Sequence, residues 1–349
     1  MLVFSLLMVA LSCAFLAWLF GFFMRRHALV HGLVDVPDAG RHRHDQPVPY
    51  GGGIVAWTVC VIGFLAVFFL LPDWFRTVHG KELVAFLVSA IPLLIVGTID
   101  DRFSLSPKWL LFGAFLSVSI ALLFGFRVHT LMEPIGGGKW ALSGIMSYLI
   151  SFVWLLACTG ATKFSDGVDG LVAGQTVIGS LLIAGLCLTT AFFQPEVALL
   201  AAVFGGSFLG VLLHGWPRAR LFLGEFGSTF AGFGLGVLAI ISGAKFAIAL
   251  MAMGFFVADI ILVMLRRVWR GHSPFEGDRT HLHFVLLEAG MPAWGVSILL
   301  WTLGLGFGLA ALQLQTRGKL ALVVGLVVLT WMLLFYAMHL VKRREKARV

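Results

Sequence analysis

The sequence predicts an all-α polytopic membrane protein with one integral membrane domain over residues 1–349. Hydrophobic residues make up 60% of the 349 residues and charged residues 12%, whereas a soluble domain is about half apolar and about a quarter charged. The mean hydropathy of +0.99 agrees with this difference. Eleven apolar runs are long enough to cross about 30 Å of hydrocarbon. We therefore expect about eleven transmembrane helices, with ten as the lower bound.

The eleven runs are distributed along the whole chain. They lie at 2–24, 54–71, 82–99, 109–126, 141–159, 171–193, 197–215, 229–243, 246–265, 293–313 and 320–341. The run at 229–243 is short and rich in glycine, so a count of ten would merge the helices on either side of Gly243. The first run has no positively charged front and no small-residue cleavage site, and Arg25 and Arg26 follow it. That pattern is typical of an uncleaved first helix.

The basic residues set the predicted orientation. Of the 25 lysines and arginines, 18 fall in one set of alternate loops and 7 in the other. Because basic loops stay in the cytoplasm, we expect the N-terminus outside, the C-terminus in the cytoplasm, and a multi-pass protein of the bacterial inner membrane. The net charge of +8 then follows from topology, and nucleic-acid binding is not expected.

The acidic residues are also unevenly distributed, which the topology rule does not require. Twelve of the 17 fall in the predicted cytoplasmic loops, and Asp259 lies inside an apolar run. An ionisable residue within a span is a functional candidate by default, and a structural hydrogen bond to a neighbouring helix is the alternative. The four cysteines lie in apolar runs, so we expect them to be buried without disulfides.

The first cytoplasmic loop combines Asp35, Arg41 and His44 with a glycine triplet at 51–53. Such a loop is typical of a basic, backbone-rich cradle for a phosphate. A positive-inside loop that turns on proline and glycine explains the same residues without a ligand.

Two acidic pairs follow in the second and third loops. Asp100 and Asp101 end one apolar run and Lys108 begins the next, while Asp166 and Asp169 are three residues apart. The second pair would share a face of a helix that had already begun. Both pairs favour a divalent cation or proton transfer. Plain surface acids, or acids stabilised at a helix N-terminus, are the alternatives.

The fourth and fifth loops add Glu225, His281 and His283. Glu225 lies among glycines, which let a backbone or a ligand approach closely. The two histidines have no third ligand at zinc spacing. With Arg279 beside them, they suit a diphosphate better.

Asp259 and Arg266 are seven residues apart, about two helical turns, so a helix would place both on one face. Acids that offer only oxygen ligands suit Mg²⁺, with Mn²⁺ as a substitute. Mg²⁺ beside basic residues is typical of phosphoryl transfer. The site would lie level with the lipid headgroups, so we expect one water-soluble substrate and one lipid phosphate.

Four motifs in this order resemble the polyprenyl-phosphate N-acetylhexosamine-1-phosphate transferases, glycosyltransferase family 4. They are "DD" at 100–101 with Lys108, "DGVDGL" at 166–171, "GSTFAGF" at 227–233 and "SPFEGDRTHLHF" at 273–284. The last motif resembles the WecA/TagO-like branch, which transfers N-acetylglucosamine-1-phosphate from its UDP carrier to undecaprenyl phosphate.

The resemblance implies that the lipid phosphate attacks the sugar-linked phosphorus of a UDP-sugar in the presence of Mg²⁺. UMP is released, and a lipid-linked cell-envelope glycan such as a lipopolysaccharide O-antigen is started. The implied catalytic residues are Asp100, Asp101, Asp166, Asp169, His281 and His283. The expected metal ligands are Asp100, Asp101, Asp169 and Glu225. The expected substrate contacts are Asp35, Arg41, His44, Lys108, Lys163, Asp259, Arg266 and Arg279.

Three features depart from the family pattern. The family usually has asparagines six and three residues before Asp166, where this chain has Gly160 and Lys163. The acid before "GS" is Glu225 rather than aspartate, and Phe284 replaces the last histidine of the motif. These departures bear on sugar specificity and on the geometry around the metal.

Three alternatives stay open from the sequence. The first is the family branch that transfers phospho-N-acetylmuramoyl-pentapeptide, which usually has three consecutive histidines. The second is a cation- or proton-coupled transporter, whose coupling acids lie near mid-membrane on broken helices. The third is a non-catalytic homologue. The expected partners are a UDP-N-acetylhexosamine and undecaprenyl phosphate, and a homodimer is compatible with the sequence.

Overall fold

The computed structural model describes residues 2–35, 47–75, 78–133, 138–243, 246–269, 271 and 280–346. Thirteen α-helices follow one another within these ranges. They are α1 Leu2–Val30, α2 Gly52–Leu70, α3 Gly80–Ser89, α4 Ile91–Phe103, α5 Pro107–Leu123, α6 Gly144–Ser165, α7 Leu171–Cys187, α8 Pro195–Gly215, α9 Gly224–Ile241, α10 Phe246–Trp269, α11 Leu282–Glu288, α12 Ala293–Gln313 and α13 Thr316–Lys346. Two short antiparallel strand pairs join some of them: β1 Val34–Asp35 with β2 Val48–Pro49, and β3 Thr130–Met132 with β4 Lys139–Ala141.

Each of the eleven predicted apolar runs contributes to a helix, so the prediction of an all-α polytopic membrane protein is confirmed. Within the described ranges, eight segments are long and apolar enough to cross a membrane when Gly80–Phe103 is counted as one. Pro92 lies in the first turn of α4, where its ring and missing N–H separate this helix from α3. Helices α5 and α7 are apolar but shorter. The count of eleven and the orientation of the termini stay predictions.

The glycine-rich run at 229–243 forms α9, whose apolar stretch is 89% buried. A Cβ atom on Gly232 would lie 2.0 Å from the carbonyl oxygen of Cys158 on α6. In the same way, a Cβ atom on Gly206 of α8 would lie 2.4 Å from the carbonyl oxygen of Ala10 on α1. Small residues let membrane helices approach backbone to backbone. The short run is therefore a central helix of the bundle.

The predicted cytoplasmic loops meet at one end of this bundle. Tyr50 of the first loop pairs with Phe222 of the fourth through a β-bridge. Asp101 of the second loop accepts a hydrogen bond from the backbone N–H of Glu225, where α9 begins. These contacts place the three loops on the same side of the bundle, as an alternating topology requires.

Ser106 and Ser143 test the predicted topology because they are expected on opposite sides of the membrane. Both are exposed residues that precede a helix, and neither side chain makes a capping hydrogen bond. Cysteine at either position should therefore leave α5 and α6 intact. We expect a membrane-impermeant maleimide to label Ser106→Cys from the cytoplasm alone and Ser143→Cys from the outside alone, measured on intact cells and inverted vesicles.

The wild-type chain is the control for this labelling, because its four cysteines are all buried and unpaired. Labelling of both variants from the same side would show that the alternating topology is wrong.

Candidate active site

The first loop reaches the site through Tyr50. Its hydroxyl donates a hydrogen bond to the carboxylate of Asp35, the last residue of β1. Burial raises the pKa of Tyr50 far above its ordinary value, and the charges of Asp35, Asp101 and Asp166 act in the same direction. The phenol therefore stays protonated and presents a hydrogen-bond donor among acids.

Gly52 and Gly53, two of the three glycines of the predicted phosphate cradle, make packing contacts instead. The backbone amides of Gly52 and Gly53 donate to the carbonyl oxygens of Phe222 and Leu223, each at 2.9 Å. A Cβ atom on Gly53 would lie 2.3 Å from the Cα atom of Gly227 on α9. These two glycines dock α2 against α9, and their amides are not available to an anion.

The adjacent acids at the end of α4 have separate roles. Asp100 Oδ1 accepts a hydrogen bond of 2.7 Å from the N–H of Leu105 and fixes the turn after the helix. Asp101 Oδ1 accepts a hydrogen bond of 2.8 Å from the N–H of Glu225. Gly224 has a φ of +76°, and a Cβ atom there would lie 2.3 Å from Asp101 Oδ2. Both the conformation and the contact require glycine.

Lys163 and Glu225 form a direct ion pair between α6 and α9. Lys163 lies in the last turn of α6 and Glu225 in the first turn of α9. The ammonium of Lys163 donates a hydrogen bond to Oε1 of Glu225. The two side chains are 25% and 15% exposed. Two of the positions that depart from the family pattern are therefore partners in space.

Asp169 anchors the turn between α6 and α7. Its Oδ2 atom accepts a hydrogen bond of 3.0 Å from the N–H of Ala219. Its carbonyl oxygen accepts a hydrogen bond of 3.0 Å from the hydroxyl of Ser297 on α12. The turn that carries the second acidic pair is thus fastened to the fourth loop and to α12.

Asp166 lies in the turn after α6, among other acids of the site. Desolvation by the surrounding helices, with repulsion from Glu225, Asp101 and Asp169, raises the pKa of Asp166 to about 8. Asp166 is also exposed, so the repulsion from its neighbours acts on a side chain that an incoming cation can reach. A cation that entered the site would relieve this repulsion.

Asp259 holds the histidine loop. Nδ1 of His281 lies 2.8 Å from Oδ2 of Asp259, and the N–H of Leu282 donates to Oδ1 of Asp259 at 2.8 Å. Asp259 is 3% exposed, so its carboxylate orients the loop. Nδ1 of His281 donates to this carboxylate, which leaves Nε2 as the nitrogen that can act on a ligand. The ring also stacks on Phe164 with centroids 6.1 Å apart.

His283 packs against the turn that carries the second acidic pair. It is buried, and its Nε2 atom has no hydrogen-bond partner among the described residues. A Cβ atom on Gly167 would lie 2.6 Å from this Nε2 atom and 2.6 Å from the ring of Phe284. Burial lowers the pKa of His283 to about 3, with a smaller effect from His281, so the ring is neutral. Its predicted catalytic role stays a prediction.

The remaining predicted substrate contacts lie apart or outside the described residues. Lys108 is exposed at the start of α5. Nη1 of Arg266 lies 3.6 Å from Sδ of Met338, toward α13. The residues outside the described ranges are Arg41, His44 and Arg279. For these five residues substrate contact stays a prediction.

Tyr50 and Phe164 are site residues that sequence reasoning missed. The chain has 32 phenylalanines, so one more carries no signal, but it has only three tyrosines. A rare polar aromatic directly before a glycine triplet was the available signal for Tyr50.

The acids offer oxygen ligands without forming a closed cage. Across the described ranges, no three histidine, cysteine, aspartate or glutamate side chains lie together at metal-ligand spacing. Mg²⁺ usually keeps several waters and is held by one or two carboxylates together with substrate phosphates. Glu225 together with one of the site aspartates fits such an open site. Asp100, Asp101 and Asp169 each have one oxygen bonded to a backbone N–H, so the ligand set of Asp100, Asp101, Asp169 and Glu225 stays a prediction.

An apolar groove of about 460 Å³ lies between α6 and α10. Its lining residues are Leu149, Ile150, Val153, Trp154, Ala157, Cys158, Leu250, Met253 and Val257. From Cys158, α6 continues for five residues, little more than one turn, before it reaches Lys163. The groove and the acidic site therefore follow one another along the same helix, about 7.5 Å apart on its axis.

Comparison with known proteins supports the motifs. Residues 83–243 match the family described as Glycosyl transferase family 4. The chain is 28% identical over 353 aligned positions to the decaprenyl-phosphate N-acetylglucosaminephosphotransferase of Mycolicibacterium smegmatis, covering 93% of this chain and 86% of the relative. These similarities support the assignment of this chain to glycosyl transferase family 4.

This chain is also similar to two further relatives over most of their length. It is 27% identical over 300 positions to the probable undecaprenyl-phosphate N-acetylglucosaminyl 1-phosphate transferase of Bacillus subtilis, covering 84% of this chain and 80% of the relative. It is 28% identical over 319 positions to the undecaprenyl-phosphate alpha-N-acetylglucosaminyl 1-phosphate transferase of Escherichia coli, covering 87% and 80%.

The region that matches the family runs from α3 to α9 and contains all five site acids from Asp100 to Glu225. Together with the apolar helices, the similarity to these transferases identifies the chain as a multi-pass membrane transferase. It favours the enzyme over the coupled transporter that the sequence had left open.

Gly224 and Gly125 provide a matched test of the contact with Asp101. Both have a positive φ, 76° and 96°, so alanine should cost each roughly 1–2 kcal/mol of unfolding free energy. A Cβ atom on Gly224 would meet Asp101, whereas nothing lies within 4 Å of one on Gly125. We expect Gly224→Ala to lower the thermal unfolding temperature in detergent more than Gly125→Ala does. It should also reduce transferase activity by up to about a hundredfold, because the site is displaced.

Equal unfolding temperatures and full activity in both variants would show that the Gly224 contact does not position Asp101.

Proposed function

We propose that this family 4 transferase moves N-acetylhexosamine-1-phosphate, in the first instance N-acetylglucosamine-1-phosphate, from a UDP-sugar to undecaprenyl phosphate. The reaction uses Mg²⁺, releases UMP and starts a lipid-linked cell-envelope glycan at the cytoplasmic face of the bacterial inner membrane. The proposal rests on one observation: acids from three loops converge beside an apolar groove on α6. A site suited to phosphate chemistry thus adjoins a seat for a long apolar chain. The names of the relatives, which specify polyprenyl phosphate and N-acetylglucosamine, support the same substrates.

The reaction exchanges one phosphorus–oxygen bond for another. An oxygen of the lipid phosphate bonds to the sugar-linked phosphorus, the bond from that phosphorus to the bridging oxygen breaks, and UMP leaves with the bridging oxygen. A phosphate monoester, with a second pKa of about 6, is mostly a dianion at neutral pH. The charges then balance without a net proton. The main task of the site is to hold two anions together rather than to deprotonate a nucleophile.

The chain's own residues fit that task. The Lys163 ammonium has three N–H donors, which suit diphosphate oxygens. Mg²⁺, held by Glu225 and one of the site aspartates, would supply the positive charge that two neighbouring phosphates require. The hydrogen bonds from backbone amides to Asp101 and Asp169 keep these carboxylates in place while the substrates enter.

Purified protein tests the proposal directly. It is incubated with undecaprenyl phosphate, Mg²⁺ and a panel of UDP-sugars that includes UDP-N-acetylglucosamine and UDP-N-acetylmuramoyl-pentapeptide, and UMP is measured. We expect release with UDP-N-acetylglucosamine. Release with the pentapeptide donor alone would assign the chain to the muramoyl branch, and no release with any donor would indicate a non-catalytic homologue.

Asp101→Asn tests the charge at the centre of the site. Asparagine keeps the size of the side chain and an oxygen that can accept the Glu225 amide, so the fold should persist. We expect UMP release to fall at least about a hundredfold, the scale of lost electrostatic catalysis. Asp73→Asn, the same substitution at an exposed position in a predicted outer loop, is the control and should leave the rate unchanged. A folded Asp101→Asn variant with near wild-type turnover would contradict a catalytic role for Asp101.

Ala157→Trp tests the groove as the seat of the lipid chain. Ala157 is exposed and lines the groove, so an indole there should fill part of it. We expect the KM for undecaprenyl phosphate to rise about tenfold or more, because that corresponds to roughly 1.4 kcal/mol of lost apolar contact, while the KM for the UDP-sugar stays the same. Ile145→Trp is the control, because Ile145 lies on the same helix, is 77% exposed and does not line the groove. Equal effects of both substitutions on the lipid KM would place the acceptor elsewhere.

A further inference from the structure

The ion pair of Lys163 and Glu225 lies inside the acidic site. The backbone N–H of Glu225 donates to Asp101, and the Lys163 charge also acts on Asp101. Asp166, three residues after Lys163 on the chain, is repelled by Glu225. The pair therefore occupies the centre of the set of carboxylates on which the proposed chemistry depends.

In the proposed reaction each member of this pair has a second partner of higher charge. For Lys163 it is the diphosphate of the donor, and for Glu225 it is Mg²⁺. Lysine carries a compact ammonium with three donors on a flexible four-carbon stem, so it can turn from one anion to another. The Lys163 side chain is 25% exposed, which leaves it access to an incoming ligand. A glutamate oxygen bound by an ammonium is not fully available to a metal ion.

We propose that Lys163 and Glu225 exchange partners when the donor and Mg²⁺ bind. In the ligand-free protein Lys163 neutralises Glu225. In the complex Lys163 moves to the diphosphate of the UDP-sugar, and the carboxylate of Glu225 turns to Mg²⁺. This inference rests on the proposed function. It makes Lys163 a residue that competes with Mg²⁺ for Glu225 and that contacts the donor.

The exchange couples the two ligands. Without donor, Mg²⁺ must displace Lys163 from Glu225. With donor bound, Lys163 contacts the diphosphate, and Mg²⁺ can bind the Glu225 carboxylate without displacing Lys163 from it. Coupling of this kind is reciprocal, so Mg²⁺ should strengthen donor binding by the same factor by which the donor strengthens Mg²⁺ binding. A static ion pair would produce no such coupling.

The test measures Mg²⁺ binding rather than turnover. Detergent-solubilised full-length protein is heated at increasing Mg²⁺ concentration, with and without UDP-N-acetylglucosamine and without lipid acceptor, and the apparent dissociation constant of Mg²⁺, called the Mg²⁺ midpoint, is fitted from the rise in unfolding temperature. In the wild type we expect the donor to lower this midpoint at least about fivefold, at the lower end of typical coupling. In Lys163→Gln we expect the midpoint without donor to be about five- to tenfold lower than in the wild type. The donor should then shift it little further.

Lys81→Gln is the matched control. Lys81 also lies beside a glutamate, with its Nζ atom 3.7 Å from Oε1 of Glu82, but this pair belongs to a predicted outer loop away from the site. The same substitution there should leave the Mg²⁺ midpoint and the donor effect unchanged.

Glu225→Gln covers the case in which Lys163→Gln does not fold. It keeps the size of the side chain and leaves Lys163 without a competing carboxylate. We expect it to lose most of the Mg²⁺ response and to bind UDP-N-acetylglucosamine without Mg²⁺ at least as tightly as the wild type. The double variant Lys163→Gln/Glu225→Gln removes both charges. It should lose both the Mg²⁺ response and the tight binding of UDP-N-acetylglucosamine.

The exchange is wrong if Lys163→Gln has the wild-type Mg²⁺ midpoint or a higher one, if Glu225→Gln keeps the full Mg²⁺ response, or if Mg²⁺ does not shift the wild type at all. Measurement of UMP release separates this failure from failure of the proposed function. A wild type that releases UMP while Lys163→Gln leaves the midpoint unchanged refutes the exchange alone. A wild type that releases no UMP with any UDP-sugar refutes the proposed function and, with it, the exchange.

Discussion

The hydrogen bond from the backbone N–H of Glu225 to Asp101 connects the parts of the site that come from distant stretches of the chain. It fixes the end of α4 against the beginning of α9, and it can form because Gly224 adopts a positive φ against the carboxylate. The first turn of α9 then holds the Glu225 side chain toward Lys163 on α6. Helix α6 ends directly at Asp166. The positions of these four side chains thus depend on one backbone contact.

Placing several carboxylates at one end of a helix bundle destabilises the folded protein, because the charges repel one another and lose water. Most of these carboxylates have a partner that offsets this destabilisation. Asp100, Asp101 and Asp169 each accept a backbone N–H, which compensates a carboxylate for lost water and stabilises its charge. Glu225 has the Lys163 ammonium instead. Asp166 remains exposed amid its neighbours' repulsion. Backbone amides therefore hold Asp100, Asp101 and Asp169 in place. Glu225 and Asp166 respond instead to the charges around them.

Composition, apolar runs and ordered motifs were enough to predict an α-helical membrane protein and most of its acidic site. They could not show that Lys163 meets Glu225, because 62 residues separate the two and each departs from the family pattern by itself. Nor could spacing show that Asp259 holds His281 rather than a substrate. Nor could the sequence distinguish a packing role of Gly52 and Gly53 from a phosphate cradle, because close packing and anion binding both call for a residue without a side chain.

The groove between α6 and α10 has a consequence for the supply of substrate. Several of its lining residues, such as Leu149 and Val153, are exposed on the outer surface of the helix bundle, the surface that would contact lipid tails. A chain seated there would arrive by sliding sideways within the bilayer rather than by leaving water. Encounter would then be a two-dimensional search. The quantity that sets its rate would be the number of acceptor molecules per unit of membrane area, so changes in membrane area or in the acceptor pool would alter flux without any change in the soluble donor.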